Sequence, residues 1–95
     1  MDPEQRAVEL GLTFPELKPG YLNLCIRSGN HLITSGHTSD LKGILGSNIS
    51  VEQGYEAAKD CATKILRSVH DEHGTLNGLR VIKLLGCVYS APDFT

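Results

Sequence analysis

The sequence predicts a small domain of the α+β class, in which one long helix covers a sheet. Three stretches carry this prediction: a capped helical pattern from Ser50 to Gly74, an alternating run from Tyr21 to Arg27, and a long apolar run from Leu79 to Ser90. The first has the period of an amphipathic helix, and the other two have the composition and period of strands. The 95 residues correspond to a single domain.

The central helix is predicted to begin at Ser50 and to end just before Gly74. Ser50 and Gln53 match a capping box, in which each side chain bonds the other residue's backbone amide. Gly74 suits the left-handed conformation that ends many helices. Apolar and small residues recur at three- and four-residue steps and predict the face that packs on the sheet. They are Val51, Tyr55, Ala58, Cys61, Ala62, Ile65 and Val69.

The amino-terminal region is predicted to be a short helix followed by a connector. Asp2 can cap the helix, Pro3 suits its first position, and Gly11 can end it. We interpret this helix as an appendage to the domain. The segment from Leu12 to Gly20 has no sustained period, which favours a connector lying over the surface.

A hairpin is predicted next. Alternation from Tyr21 to Arg27 indicates a strand with one buried face, on which Leu22, Leu24 and Ile26 would lie. Gly29-Asn30 supplies two residues that tolerate positive φ, and a second strand is predicted from His31 to Ser35. The loop that follows carries Leu41, Ile44 and Leu45, so we expect it to pack on the domain.

The run from Leu79 to Ser90 is the strongest strand candidate. One face would carry Val81, Leu85, Cys87 and Tyr89, and the other Ile82, Leu84 and Val88. Both faces therefore need burial, whereas the single long helix can cover only one of them. A second copy of the chain is the cover that we expect for the other face.

Composition excludes several classes of partner. A net charge of −2 and the absence of a basic-aromatic patch argue against nucleic acid. No apolar run approaches the roughly 20 residues that span a bilayer, and no export signal opens the chain, so we expect a cytoplasmic protein with no membrane partner. Cys25, Cys61 and Cys87 lack the spacing of a disulfide framework or a zinc site, which favours reduced thiols.

Spacing alone does not predict a reaction, a metal or a cofactor. His70 and His73 could chelate a divalent metal, but no third ligand accompanies them, so we favour an exposed helix end. His37 could donate or accept a proton, although a surface hydrogen bond is the simpler interpretation. No glycine-rich phosphate loop or nucleophile elbow is present.

Three motifs resemble the RidA/YjgF family, the reactive-intermediate deaminases also called endoribonuclease L-PSP proteins. Ser28 to Gly36 resembles the family's first hairpin, and Ser50 to Ala58 resembles the opening of its first long helix. Val81 to Phe94 resembles its central strand and the turn that follows. The three occur in the family's order and span roughly Leu10 to the carboxyl terminus.

The resemblance implies a chorismate-mutase-like fold, with an antiparallel or mixed sheet covered on one face by helices. It also implies a homotrimer with ligand clefts between subunits. Family members hydrolyse enamines or imines such as 2-aminoacrylate to 2-keto acids and ammonia, without a metal or cofactor. Backbone at a Ser-Gly pair lines the family's cleft, and Ser35 and Gly36 match that pair.

The resemblance is incomplete at the residues that perform the family's reaction. Its catalytic arginine and glutamate lie on a second helix and two further strands, which we expect to correspond to residues beyond Thr95. Arg27 and Arg80 do not fall at the arginine's position, and the cleft tyrosine aligns nearer Leu22 than Tyr21. Two functions remain open: an enamine/imine deaminase, active either as this chain or only in a longer form, or a noncatalytic subunit that binds small carboxylates or assembles with related subunits.

Overall fold

The computed structural model describes residues 1–18, 20 and 23–95. These residues form α1 (Pro3–Glu9), β1 (Cys25–Ser28), β2 (His31–Thr34) and α2 (Val51–His73), in that order. The two strands form one antiparallel sheet, and α2 lies against both of them. A small α+β domain is therefore confirmed.

The ends of α2 are those that the sequence predicts. Ser50 Oγ accepts a hydrogen bond from the amide of Gln53 at 3.2 Å, and Gln53 Oε1 accepts one from the amide of Ser50 at 2.9 Å. Gly74 adopts the left-handed conformation, with φ of 89°. Both ends follow from signals within a few residues of the sequence.

The packed face of α2 differs from the predicted apolar stripe. Val51 and Tyr55 are each 65% exposed, whereas Ser68 is buried at 3% exposure. Residues with reduced exposure recur at helical spacing on a different line, which comprises Gly54, Ala57, Cys61, Lys64 and Ser68. The hairpin is short, so it covers only part of the helix, and small residues let the backbones approach closely. Ile65 and Val69 from the predicted stripe are half-buried.

The predicted hairpin is confirmed over the described residues, but its buried face is not the predicted one: Cys25 is 9% exposed, whereas Leu24 and Ile26 are 37% and 46% exposed. Gly29 has φ of 60° and is the only one of the two turn residues with positive φ, as in a type II′ turn. The amide of Ser35 bonds Leu24 O at 3.0 Å and continues the strand pairing by one step. Tyr21 and Leu22, where the first strand was predicted to begin, lie outside the described residues.

The first helix forms as predicted, and one of its residues, Ala7, is buried, so that it is not a free appendage. Asp2 caps it, and Gly11 follows it with φ of 80°. Ala7 is only 3% exposed and Leu76, in the turn after α2, only 7%. With Cys25, these two are the buried apolar residues of the described chain. Glu4 of α1 contacts His70 at 3.0 Å and accepts a hydrogen bond from the amide of Leu76 at 2.6 Å, so side-chain contacts hold α1 at the end of α2.

The predicted strand from Leu79 to Ser90 does not form. Residues 80–90 are all exposed, and their regular pairing is limited to a single bridge between Ser90 and Leu45. We call residues 79–89 the apolar segment; Val81 is 81% exposed and Leu85 is 83% exposed. The reason is that both faces of the segment are apolar, whereas α2, the one long helix among the described residues, already lies against the hairpin.

This segment leaves the chain with a large surface. The accessible area is 7648 Å², against about 5,400 Å² for a compact chain of this mass. The radius of gyration is 15.0 Å, against about 12 Å for a compact domain of this length. The chain alone does not cover the apolar side chains that its sequence contains.

Candidate functional site

A cleft of about 360 Å³ opens where the hairpin passes into the next loop and meets α2. Two cations and a histidine contribute to its walls. The lining residues are Leu17, Leu24, Gly36, His37, Thr38, Lys64, Arg67 and Ser68. We call this the His37 cleft. A second cleft of about 230 Å³ shares Leu17, Leu24 and Ser68 with it, so Ser68 borders both.

The two residues predicted from the family resemblance have different positions at this cleft. Gly36 lines it. Ser35 is not among the lining residues of the cleft described above. Its backbone carbonyl instead holds a lining residue, because it lies 2.8 Å from Nδ1 of His37. Ser35 Oγ is buried and has no hydrogen-bond partner among the described residues.

The backbone does not require a glycine at position 36. Gly36 is not among the glycines with positive φ, and a Cβ built there meets no atom within 4 Å in the described part of the chain. A tight strand exit or a bulge therefore does not explain this glycine. Open space beside an unsubstituted backbone permits close approach of a ligand.

His37 is held between the loop backbone and α2. Its Nδ1 contacts Ser35 O, which can only accept, so this nitrogen carries a proton and donates it. In the neutral ring Nε2 must then accept, and Ser68 Oγ lies 2.7 Å from it. The Ser68 hydroxyl therefore donates its hydrogen to His37, and the ring has a defined tautomer and orientation.

The two cations of the cleft differ in their partners. Lys64 Nζ lies 2.9 Å from Thr38 O, 2.7 Å from Asp40 Oδ1 and 3.3 Å from Asp60 Oδ2. Arg67 donates through Nε to Thr13 O at 3.0 Å, and its two Nη groups have no partner among the residues described. Of these two cations, Arg67 is therefore the one whose Nη groups are available to bind a ligand.

Asp60 and Lys64 affect each other's titration. A hydrogen bond from the backbone amide of Asp40, at 2.8 Å, lowers the pKa of the Asp60 carboxyl. Desolvation opposes this effect and Lys64 adds to it. The hydrogen bond to Asp40 raises the pKa of the Lys64 ammonium, and Asp60 raises it further. These contacts keep Lys64 charged and fixed at the edge of the cleft.

The smaller cleft has a thiol in its wall. Cys25 is 9% exposed, and burial raises the pKa of its thiol, with a further rise from the charge of Glu72 and an opposing effect from Arg27. The same cleft is lined by Asp71 and Glu72. A thiol kept protonated next to carboxylates is a poor nucleophile.

His70 and His73 do not share a site. The His70 ring stacks on Phe14 with centroids 4.1 Å apart, whereas His73 Nδ1 lies 2.7 Å from Nη2 of Arg27. Both histidines are half-buried, and each contacts a different segment of the chain. The sequence predicts an exposed helix end here instead. The described residues contain no cluster of three or more metal-ligating side chains.

No helix described here has the length and apolar character needed to cross a bilayer.

Sequence reasoning identified Gly36 and considered His37, but it missed Ser68 and Arg67. A search for apolar periodicity assigns a serine and an arginine to the solvent face of a helix. Lys64 and Ser68 are four residues apart and hence on one face, yet nothing local shows that this face meets the hairpin. Comparisons of this chain with models of protein families, with curated proteins and with solved structures found no match.

Proposed function

We propose that this chain is a RidA/YjgF-like subunit that binds a small carboxylate in the His37 cleft and does not catalyse the family's deaminase reaction. The observation that carries the proposal is the position of Arg67 and Gly36 on the walls of one cleft. Arg67 supplies guanidinium donors, and Gly36 supplies backbone that a ligand can approach. Guanidinium groups bind carboxylates through paired hydrogen bonds, which are stronger than neutral ones.

The size and charge of the cleft limit the ligand. A volume of about 360 Å³ is at the small end of ligand sites. Lys64 adds positive charge beside Arg67, although its own ammonium is already paired. We therefore propose 2-keto acids and the related enamine or imine acids, whose shared carboxylate would contact Arg67.

Titration with pyruvate, followed by amide chemical shifts, tests this proposal. We expect shifts around Gly36 and Arg67, and weaker binding in Arg67→Gln by about tenfold or more. Arg80→Gln is the matched control, because Arg80 is exposed and outside the cleft. Binding that is equal in both variants would contradict the proposal.

Gly36 provides a second, independent test. Gly36→Val should fold normally, since space is available for a Cβ, but it should weaken pyruvate binding. Gly86→Val is the control, because Gly86 likewise has open space and ordinary φ but lies in the apolar segment. If the two variants bind pyruvate equally well, the ligand does not approach Gly36.

A second proposed function is assembly, which the surface of the chain favours. The accessible area exceeds that of a compact chain by about 2,200 Å². Obligate homodimers bury about 2,000 Å² or more summed over both partners, so an excess of this size on each chain is enough for such an interface. We propose that the apolar segment packs against further copies of this chain, and the family resemblance favours a trimer.

Sedimentation velocity at micromolar concentration tests the assembly proposal. Leu84→Asp should shift the chain toward monomer, because Leu84 is 77% exposed in the apolar segment. Val51→Asp makes a similar change at a site that is 65% exposed on α2, and it should leave the assembly intact. A compact monomer in the unmodified chain would rule out this function.

A further inference from the structure

We propose that Ser68 and His37 form a nucleophile and base pair that gives this chain a hydrolytic activity toward small activated esters. The pair goes beyond carboxylate binding, because it supplies a group that can form a covalent bond with a ligand in the cleft.

The geometry is that of an activated hydroxyl. Ser68 Oγ lies 2.7 Å from Nε2 of His37, within the range for a nucleophile and its base. The opposite ring nitrogen is fixed by Ser35 O at 2.8 Å. A nucleophile, a base and a third group that orients the base make up the arrangement seen in acyl-transfer sites.

The direction of the hydrogen bonds is what the reaction requires. Because Ser35 O accepts from Nδ1, the free electron pair of the neutral ring is at Nε2 and faces Ser68. Here the carbonyl of Ser35 excludes the reversed tautomer and leaves His37 ready to take the Ser68 proton.

The location of Ser68 sets the size of the acyl group. Ser68 is 3% exposed but borders both clefts, so a ligand in either one lies next to it. Such burial admits a short acyl chain and excludes a long one. The cation at Arg67 favours an acyl group that ends in a carboxylate, and this preference alone rests on the proposed function.

Each step conserves atoms and charge. Ser68 Oγ bonds to the carbonyl carbon of the ester while its proton passes to Nε2 of His37. The carbon–oxygen bond to the leaving alcohol then breaks, and His37 returns the proton to that alcohol. Water, deprotonated by His37, next attacks the acyl-serine ester, so that the acid is released and Ser68 recovers its proton.

Incubation with p-nitrophenyl acetate and with the p-nitrophenyl monoester of succinic acid tests the pair. We expect release of nitrophenol and an acyl group on Ser68, located by peptide mass spectrometry of the unmodified chain. The succinyl ester should react faster because of Arg67. Equal rates for the two esters would contradict the proposed carboxylate site and leave the Ser68–His37 pair supported.

One variant and two controls separate catalysis from a structural contact. His37→Gln should lower the acylation rate of Ser68 about 100-fold or more, since the base is lost. His31→Gln and Ser47→Ala change exposed residues outside the clefts and should react like the unmodified chain. Acylation confined to other residues, or acylation of Ser68 undiminished in His37→Gln, would overturn the proposal. Circular dichroism verifies that α2 persists in each variant. If a variant unfolds, the location of the acyl group on the unmodified chain still decides whether Ser68 is the nucleophile.

Discussion

Glu4 Oε1 lies 3.0 Å from Nε2 of His70 and joins the first turn of α1 to the last turns of α2. The same oxygen accepts a hydrogen bond from the amide of Leu76 at 2.6 Å. The Glu4 amide in turn donates to Asn77 Oδ1 at 3.0 Å. One side chain thus connects two helices and the turn between residues 75 and 78.

Glu4→Gln should lower the free energy of unfolding by about 1 kcal/mol, because the bonds to His70 and Leu76 lose the carboxylate charge. Chemical denaturation monitored by circular dichroism measures the change. Glu9→Gln is the control: its partner Arg6 is an exposed neighbour on α1, and the loss should stay below about 0.5 kcal/mol. An equal loss in both variants would show that α1 does not depend on the Glu4 contacts.

Leu76→Ala should cost about 2 to 4 kcal/mol, because it empties a buried site, where the side chain is 7% exposed. Leu85→Ala removes the same atoms at a site that is 83% exposed and should change stability by less than about 0.5 kcal/mol under monomeric conditions. Thermal and denaturant unfolding of the two variants give the comparison. A larger loss in Leu85→Ala would contradict the packing described here.

Stability should depend on the charge of Asp60 in acid. The amide of Asp40 lowers the pKa of Asp60 in the folded chain, so its contribution is present above the unfolded value of about 3.9. That contribution is lost as pH falls through the folded pKa. Denaturation from pH 6 to about pH 2 should therefore show a smaller acid loss in Asp60→Asn. Asp93→Asn, an exposed change outside this network, should follow the unmodified chain.

The three thiols should react with iodoacetamide in the order of their exposure. Cys87 is exposed, Cys61 is half-buried and Cys25 is buried with a raised pKa. Because the thiolate is the reactive form, Cys25 should be labelled last and should need a higher pH than Cys87. Timed labelling and peptide mass spectrometry measure the order. Fast labelling of Cys25 at neutral pH would contradict its described environment.

This chain should bind small carboxylates without accelerating the hydrolysis of 2-aminoacrylate. The described lining of the His37 cleft contains no carboxylate to position water. The enamine can be generated with a serine dehydratase and its decay followed with and without the protein. An acceleration that disappears in Arg67→Gln would assign the family's reaction to this chain.

The features that were predictable from the sequence are those set by neighbouring residues. Ser50 and Gly74 bound α2 through contacts within one turn, and Gly29 sets the hairpin through its own φ. The face of α2 was not predictable in this way. It depends on where a short hairpin meets the helix, and Ser68 is buried there because of that contact.

The residues of the candidate site likewise fall into those predictable from a local motif and those brought together by packing. Gly36 was identified by a local motif, and His37 is its neighbour. Arg67 joins them from a position 30 residues later, through the packing of α2. The strand predicted from Leu79 to Ser90 does not form, for a related reason. A strand requires a neighbouring strand to pair with, and composition does not show whether the fold places one beside it.

The exposure of the apolar segment has a consequence for misassembly. Residues 82–89 are mostly apolar and contain no proline, the composition from which cross-β fibrils grow. Lys83 is the only charge within this stretch, and Arg80 lies just before it. Like charges repel when identical strands stack in register, so these two cations act as gatekeepers against fibril growth. Because salt screens that repulsion, resistance to fibril formation should be greatest in dilute buffer.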